Sequence, residues 1–344
     1  MKKLASRLTR RILVYLVLLQ VFLIHIWIVE PNWTEITRRE AWFTNLPGEF
    51  NGLVVAHLSD LHMRGYGGRE RQVLKLLAEA RPNLIVMTGD FTLEGSDPAP
   101  IQQFLGDLRD LQPTFGIWAV LGNHDHWYPL APDDEALRRF FSEAGVALLV
   151  NEGGRIGKGE DTLSLIGVDD PFSGYANLTE SLRGMHRTPF AILLTHSPEI
   201  FVKADLAKFD LVLAGHTHGG QVRLPGVGAL WLPRGSEGFE SGWFYGQFAQ
   251  MYVTRGVGTS ILPVRFLCRP EIALITLKRG ATKLEGRGAT PPDQSSSVEI
   301  SPGFWPSSLA FSTRRMILPD RVFGRLATTS ISRGTAIFPN SCLT

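Results

Sequence analysis

Between residues 53 and 277 the chain alternates short apolar runs with amphipathic stretches, and this alternation limits the possible folds more than any other feature. Five runs of strand length are almost wholly apolar: 53–58, 84–87, 117–121, 191–194 and 211–214. Such runs are typical of strands covered on both faces. The stretches at 71–80, 101–111 and 134–144 have the apolar spacing of helices. The pattern predicts an α/β fold in which helices and sheet are layered.

The later part of this region is richer in short strands separated by Gly and Pro turns. These strands are expected at 221–224, 251–254 and 272–277. We interpret them as a second sheet packed on the first.

Composition and charge exclude several other classes of protein. The chain has 344 residues, 44% of them hydrophobic and 20% charged, which is ordinary globular usage and enough for a full core. The formal net charge is +2, but residues 1–11 hold five of the 35 basic residues and no acid. The remainder is slightly acidic, which argues against a nucleic-acid-binding body. Two cysteines, Cys268 and Cys342, exclude a disulfide framework and a cysteine-based zinc site.

An apolar run at 12–29 follows the basic N-terminus, and only Gln20 and His25 interrupt it. As a helix rising about 1.5 Å per residue, the run nearly spans a bilayer core. We interpret it as an uncleaved transmembrane anchor, with a cleaved signal peptide and a buried core helix as the alternatives. The positive charges before the run place the N-terminus in the cytoplasm and the body outside. The sequence therefore predicts a single-pass protein of the inner membrane.

The composition changes again near residue 280, beyond which Gly, Pro, Ser and Thr dominate. The resulting division is a basic N-terminus at 1–11, an anchor at 12–29, a linker at 30–49, a folded domain at 50–280 and a low-complexity, disordered tail at 281–344.

Polar motifs follow the five apolar runs. They are Asp60-Leu61-His62, Gly89-Asp90, Gly122-Asn123-His124-Asp125, Thr195-His196 and Gly215-His216-Thr217-His218. Each motif alone has an ordinary explanation, such as a turn or a buried histidine. Open α/β sheets, however, bind ligands beyond the carboxyl ends of their strands. Five such motifs in succession favour a functional site there.

The residue types indicate a metal site. In extended backbone, residues two apart point the same way, so Asp60 with His62, and His216 with His218, can each face one metal region. Asp, Asn and His without Cys are suited to Mn, Fe, Zn or Mg. Seven ligands are too many for one ion and suit two, and two ions that share a carboxylate can promote in-line attack on a phosphoryl group. The motifs therefore predict hydrolysis of a phosphate ester.

These motifs, in this order, resemble the signature of the calcineurin-like metallophosphoesterase superfamily over about residues 50–280. The resemblance implies a four-layer αββα sandwich, here with an N-terminal transmembrane helix. It implies that Asp60, His62 and His218 hold one metal, that Asn123, His196 and His216 hold the other, and that Asp90 bridges them. It also implies that His124 acts beside the phosphoryl group without being a ligand, and that Asp125 orients His124. The implied cofactors are two divalent ions, with manganese the first choice in vitro.

Two further segments resemble the YkuE-type branch of membrane-associated phosphoesterases: 218–225, and 255–260 through 269–272. Some relatives in this branch cleave the pyrophosphate of UDP-diacylglucosamine. Gly89-Asp90 runs into Phe91-Thr92-Leu93 without the arginine of phosphoprotein phosphatases, which disfavours a protein phosphatase.

Two groups of aromatic residues bear on the nature of the substrate. Trp231, Phe239, Trp243, Phe244 and Tyr245 either contact an acyl chain or fill the second sheet's core. Trp27, Trp33 and Trp42-Phe43 resemble an interfacial belt around the anchor.

We therefore expect a membrane-anchored, dinuclear-metal phosphodiesterase or pyrophosphatase acting on a lipid-linked substrate. The expected partners are the bilayer and that substrate, with neither nucleic acid nor an obligate protein partner. A nucleotide-linked lipid would lie on the cytoplasmic side, against the charge rule, so the side of the membrane stays open. The alternative is a catalytically inactive phosphoesterase-fold protein that binds partners at the membrane.

Overall fold

The computed structural model describes residues 2–183 and 188–281. The predicted tail at 281–344 lies outside the described residues apart from its first residue.

The described residues form seven α-helices and fourteen strands. The helices are α1 (Lys2–Ile24), α2 (Gly68–Ala80), α3 (Pro98–Arg109), α4 (Asn123–Trp127), α5 (Asp134–Glu143), α6 (Leu178–Ser181) and α7 (Ile200–Lys203). The first seven strands are β1 (Glu35–Phe43), β2 (Val54–Leu58), β3 (Leu84–Thr88), β4 (Ile117–Val120), β5 (Val146–Leu148), β6 (Glu152–Lys158) and β7 (Asp161–Gly167). The others are β8 (Ala191–Leu194), β9 (Leu211–Ala214), β10 (Arg223–Leu224), β11 (Gly228–Ala229), β12 (Gly242–Tyr245), β13 (Gln250–Val253) and β14 (Glu271–Arg279).

Two six-stranded sheets organise these elements. The first has the order β1-β14-β2-β3-β4-β5, and the second has the order β12-β13-β9-β8-β7-β6. Strands β2 to β5 are mutually parallel, as are β7, β8, β9 and β13. The carboxyl ends of the parallel strands in each sheet therefore share one edge.

Helices and sheets form four layers. The inner faces of both sheets meet in one buried cluster, for example Val55 and Val86 of the first sheet with Leu165 and Leu213 of the second. Helices α2, α3 and α5 pack on the outer face of the first sheet. Residues around α6 and α7 cover the outer face of the second. The predicted αββα sandwich is confirmed.

The structure differs from the sequence prediction in which of the two sheets some strands belong to. Strands β8 and β9 are central in the second sheet, whereas β14 lies in the first sheet between β1 and β2. Apolar runs show that a strand is covered on both faces, but they do not say which strand is its neighbour. Long-range pairing decides the sheet.

The segment 30–49, predicted to be a linker, contributes strand β1. All nine residues of β1 pair in parallel register with β14. The strand escaped prediction because its sequence, EITRREAWF, is charged in the middle, as an edge strand with an exposed side allows.

The prediction of an interfacial belt is wrong at Trp42-Phe43. The Phe43 side chain lies between the sheets, 4.8 Å from the Phe190 ring centre. Trp42 precedes it at the end of β1 farthest from the apolar helix. Only Trp27 and Trp33, which are 44% and 50% exposed, flank the apolar helix.

The N-terminal helix α1 continues through two further helical turns to Asn32. The stretch Thr9–Asn32 is long and apolar enough to cross a membrane. Its apolar side chains are largely exposed, which argues against the alternative of a buried core helix.

Candidate metal centre

All seven predicted ligands lie just beyond the carboxyl ends of strands, where the two sheets meet. Asp60 and His62 follow β2, Asp90 follows β3 and Asn123 follows β4. His196 follows β8, and His216 and His218 follow β9. The first sheet thus supplies the carboxylates and the amide, and the second supplies three of the four imidazoles.

Five of the seven residues have a left-handed backbone: Asp60, His62, Asp90, His216 and His218, with φ between 42° and 70°. The prediction that these pairs are extended is therefore wrong, and His216 and His218 face opposite halves of the site. Non-glycine residues in this region are strained and persist where their surroundings fix them, often at functional sites. Sharp turns after the strands aim these side chains inward.

Asp60, His62 and His218 form one half of the site. The Nε2 atoms of His62 and His218 are 3.1 Å apart, and His218 Nε2 is 3.4 Å from Asp60 Oδ1. The ligand atoms of these three residues lie close enough together to hold a metal ion.

Asn123, His196 and His216 form the other half. His216 Nδ1 lies 3.1 Å from Asn123 Oδ1 and 3.2 Å from His196 Nε2. All three side chains are buried.

Asp90 lies between the two halves. Its Oδ2 atom is 3.4 Å from His62 Nε2 and 3.3 Å from His196 Nε2. One carboxylate oxygen is therefore within reach of both groups of ligands.

The outer nitrogens of three histidines are placed to donate to backbone carbonyls. His62 Nδ1 lies 3.1 Å from Thr92 O, His196 Nδ1 2.7 Å from Thr88 O, and His216 Nε2 2.6 Å from Arg234 O. Such bonds fix the tautomer and turn the lone pair of the other nitrogen inward. Inward lone pairs, an amide oxygen and carboxylates repel one another unless a cation lies between them. The donor set therefore fits divalent metal ions.

Two glycines permit this close approach of the sheets. A Cβ at Gly122 would lie 2.3 Å from Asp90 Oδ1 and 2.9 Å from His196 Cγ of the second sheet, and a Cβ at Gly215 would lie 1.9 Å from Ser59 Oγ of the first. No side chain fits at either position, which explains why glycine begins both motifs.

Comparison with known proteins agrees with this geometry. The sequence profile of the calcineurin-like phosphoesterase family matches residues 53–220. The uncharacterized metallophosphoesterase YkuE of Bacillus subtilis is 31% identical over 73% of this chain and 87% of its own length. This chain belongs to the calcineurin-like phosphoesterase family.

Other relatives of this phosphoesterase carry more specific names. Phosphodiesterase YaeI of Escherichia coli is 29% identical over 72% of this chain and 90% of its own. A Danio rerio protein named transmembrane protein with metallophosphoesterase domain is 29% identical, over 68% of this chain and 55% of its own. The chain is thus a metal-dependent hydrolase of phosphate esters, and its apolar N-terminal helix could anchor it in a membrane.

The electrostatics of the phosphoesterase site favour a cation beside Asp90. Burial lowers the pKa of His62 to about 3 and that of His216 to about 4, which keeps both imidazoles neutral, the form that binds metals. Burial alone would lower the pKa of His196, but Asp90 raises it well above its ordinary value. Burial would likewise raise the pKa of Asp90, and His196 with His62 lowers it overall. Positive charge is stabilised where the two halves meet.

His124 lies next to the site and belongs to neither of the two predicted groups of ligands. Its ring centre is 4.7 Å from that of His62, and its backbone N–H donates to Asp90 Oδ1 at 2.8 Å. Its Nδ1 atom is buried and has no hydrogen-bond partner among the described residues. Its ring nitrogens are close enough to His62 and Asp90 for it to count as a possible ligand by distance.

Asp125 does not orient the His124 imidazole, so that prediction is wrong. Its carboxylate accepts hydrogen bonds from the backbone N–H groups of Asp90 and Gly122, at 2.8 and 2.9 Å, and of Phe91 at 2.8 Å. Amide donors at the start of helix α4 and in the Asp90 loop occupy both oxygens. Asp125 therefore positions the Asp90 loop.

Sequence reasoning missed Arg265, which is fully buried. Its guanidinium donates to the carbonyls of Arg255, Gly256, Gly258 and Cys268 at 2.6 to 3.2 Å. Gly258 N–H in turn donates to Asp60 O at 2.6 Å. The motif at 255–260 was visible in the sequence, but a single arginine in a loop carries no local signal of burial.

Two cavities open beside the centre. One, of about 510 Å³, begins at His62 and extends past Arg64 to Trp27 and Leu262. We call it the helix-side groove. The other, of about 720 Å³, is lined by Lys203 and Arg234 among others, and we call it the distal cavity.

The aromatic residues at 231–245, expected either to contact an acyl chain or to fill the core, differ in burial. Phe239 and Phe244 are buried on the outer face of the second sheet, and Trp243 packs against the cluster between the sheets. Trp231 is 58% exposed. Filling the core therefore accounts for most of these residues.

Proposed function

We propose that this phosphoesterase is anchored in a membrane and hydrolyses a phosphodiester or pyrophosphate bond of a lipid-linked substrate. The observation that carries this proposal is the helix-side groove. It joins His62 of the metal centre to Trp27, Pro31 and Asn32 at the end of the apolar helix. A molecule held in the bilayer beside that helix could extend its phosphate along the groove.

Two divalent ions are proposed to occupy the centre, one held by Asp60, His62 and His218, the other by Asn123, His196 and His216, with Asp90 between them. Bound ions of this kind supply a nucleophile at neutral pH and stabilise charge on a phosphoryl group. The mixed oxygen and nitrogen donors suit Mn, Fe, Zn or Mg, and manganese is the first ion to test.

The chain's own residues then position the substrate. Arg64 in the helix-side groove can pair with a phosphate. His124 is proposed to serve the leaving oxygen as acid or by stabilising its charge. The distal cavity is lined by Arg234 and by Lys203 in ion pairs with Glu199 and Glu237, and this charged lining suits the polar part of the substrate on the other side of the reacting phosphorus.

The orientation is proposed from charge. Five basic residues precede the apolar helix, and Arg38 and Arg39 are the first to follow it. This bias favours a cytoplasmic N-terminus and a catalytic domain on the other face of the inner membrane.

A substrate panel tests the proposal. Full-length protein in lipid nanodiscs, loaded with manganese, is assayed on an aryl monoester, an aryl diester, a phosphopeptide and a UDP-linked diacyl lipid. We expect the diester and the lipid to be preferred, and Asp90→Asn to be the inactive control. A preference for the phosphopeptide would overturn the substrate class, and near wild-type turnover by folded, metal-loaded Asp90→Asn would overturn the two-metal site.

A further inference from the structure

The loop at 259–267, between β13 and β14, exposes three large apolar side chains. Ile261, Leu262 and Leu267 are 73%, 54% and 53% exposed. Ile261 and Leu267 also have left-handed backbones, with φ of 60° and 52°. A β-branched residue is strained in that conformation, so something must hold the loop in this shape.

The folded domain holds the loop in place. Arg265, within the loop, is fully buried and donates to four backbone carbonyls. The Gln221 side chain accepts from Ser260 N–H at 2.8 Å, and Phe266 N–H donates to Gln221 O at 2.9 Å. The exposed apolar side chains are therefore displayed on a fixed loop.

The loop also contacts the N-terminal helix below its end. Arg265 N–H donates to Ile26 O at 3.0 Å, and the Phe266 ring lies 5.4 Å from the Phe22 ring. The apolar run ends at Val29, so Phe22 lies about 10 Å back along the helix at 1.5 Å per residue. A loop that touches Phe22 and Ile26 lies at the depth of the apolar run.

The polar groups at this junction are covered by the domain. Glu30, which ends the apolar run, is 3% exposed. Its carboxylate accepts from Cys268 N–H at 2.7 Å and lies 3.2 Å from His25 Nε2. Arg269 stacks over Trp33 at 4.0 Å, an aromatic and cationic pair of the kind found at membrane interfaces. The loop and the helix end thus form one apolar surface with a polar border.

We infer that the 259–267 loop inserts Ile261, Leu262 and Leu267 into the leaflet that the helix enters, as a second membrane contact of the catalytic domain. The inference rests on the proposed anchoring and extends it. The occupant of this surface is a phospholipid bilayer, because the surface is continuous with the apolar helix. The loop also borders the helix-side groove, so its insertion would open the groove directly onto lipid.

Depth-dependent quenching tests the inference. An environment-sensitive fluorophore is attached at Ile261→Cys in the full chain carrying Cys342→Ser, reconstituted in phosphatidylcholine and phosphatidylglycerol vesicles with nitroxide-labelled lipids. The matched control is Phe248→Cys, which is 56% exposed and lies just before β13, at the opposite end of that strand from the loop. We expect quenching at 261 to exceed quenching at 248 by at least about twofold, as for groups at the headgroup and acyl boundary.

Equal quenching at 261 and 248 would overturn the inference. Energy transfer between labels at 261 on different molecules, without lipid quenching, would also overturn it, because a second copy would then cover the loop. A label at Leu18→Cys that escapes quenching would remove the anchor and the inference together. Quenching at 261 in a protein that hydrolyses no lipid substrate would support the loop contact and reject only the proposed substrate.

Discussion

His124 lies beside the predicted ligands, and its proposed role is to act on the leaving oxygen without binding a metal ion. Its imidazole faces His62 but has a buried nitrogen without a partner among the described residues. We expect His124→Ala to keep two ions per chain by elemental analysis. Turnover of esters with poor leaving groups should fall by about two to four powers of ten, and turnover of nitrophenyl esters should fall less.

The control is His126→Ala on the same short helix. His126 has other partners, because its Nε2 atom lies 2.6 Å from Asp169 Oδ1 and its ring stacks on Tyr175. Loss of one ion per chain in His124→Ala would make His124 a ligand. An equal loss of rate for all leaving groups would remove its role as acid.

At the residue scale the sequence predicted most of the residues that the fold brings together, because the predicted ligands occur in short motifs directly after apolar strands. It failed where the decisive contacts are distant. The partners of Asp125, besides Gly122, are the backbone amides of Asp90 and Phe91, which are 35 and 34 residues away. The carbonyls that Arg265 binds come together only when the loop is folded, so the sequence does not indicate them.

Among the elements, the loop from β13 to β14 depends on one buried arginine. Replacing Arg265 with Met would leave several buried carbonyls without donors, and each unpaired buried group costs about 1–3 kcal/mol. We expect Arg265→Met to lower the free energy of unfolding by about 3 kcal/mol or more, measured by urea denaturation. Arg139→Met, which removes an exposed arginine paired with Glu135, should change it by less than about 0.5 kcal/mol. A similar result for the two variants would contradict the role of Arg265.

The start of β14 contributes stability that depends on pH. The Glu271 carboxylate is 2% exposed, lies 3.1 Å from Arg255 Nε, and accepts hydrogen bonds from Thr37 and Tyr252. Burial would raise the pKa of Glu271, but Arg255 and these hydrogen bonds lower it overall. A carboxyl whose folded pKa is lowered stabilises the fold above its unfolded pKa and loses that effect as pH falls through the folded pKa.

We therefore expect Glu271→Gln to cost about 3 kcal/mol at neutral pH. The difference from the wild type should stay constant down to the ordinary value of 4.5 and shrink below it. Urea denaturation at a series of pH values measures this, with the exposed Glu135→Gln as control. A difference that grows on acidification would show the opposite sign of linkage.

Strand prediction at the element scale succeeded for buried strands and failed at the edges. Strands β2, β3, β4, β8 and β9 are almost continuously apolar and were located to within one or two residues. Strand β6 mixes Gly, charged and apolar residues because it is an edge strand with exposed side chains. Patterning reports burial, and an edge strand is buried too little to be recognised.

For the whole molecule, the metal centre is also a connection between the sheets. Asp60, Asp90 and Asn123 extend from the first sheet, and His196 and His216 from the second. Ions bound there should stabilise the folded state by about 4 kcal/mol when present at a thousandfold excess over the dissociation constant.

Chelation should therefore lower the melting temperature by roughly 10 °C, and added manganese should restore it. Differential scanning calorimetry measures the change, and Asp90→Asn, which removes the carboxylate between the two halves of the site, should respond less. An unchanged melting temperature, with metal removal verified by elemental analysis, would mean that the ions do not hold the sheets together.

Strand β14 has a consequence for how this protein is made. It lies between β1 and β2, although the chain reaches it about 230 residues after β1. As the ribosome releases the chain, β1 therefore follows the apolar N-terminal helix with its edge unpaired until residues 271–279 have been synthesised. An unpaired edge strand is prone to pair with other chains. Translation that stops before residue 271 would thus leave a protein whose first sheet cannot close.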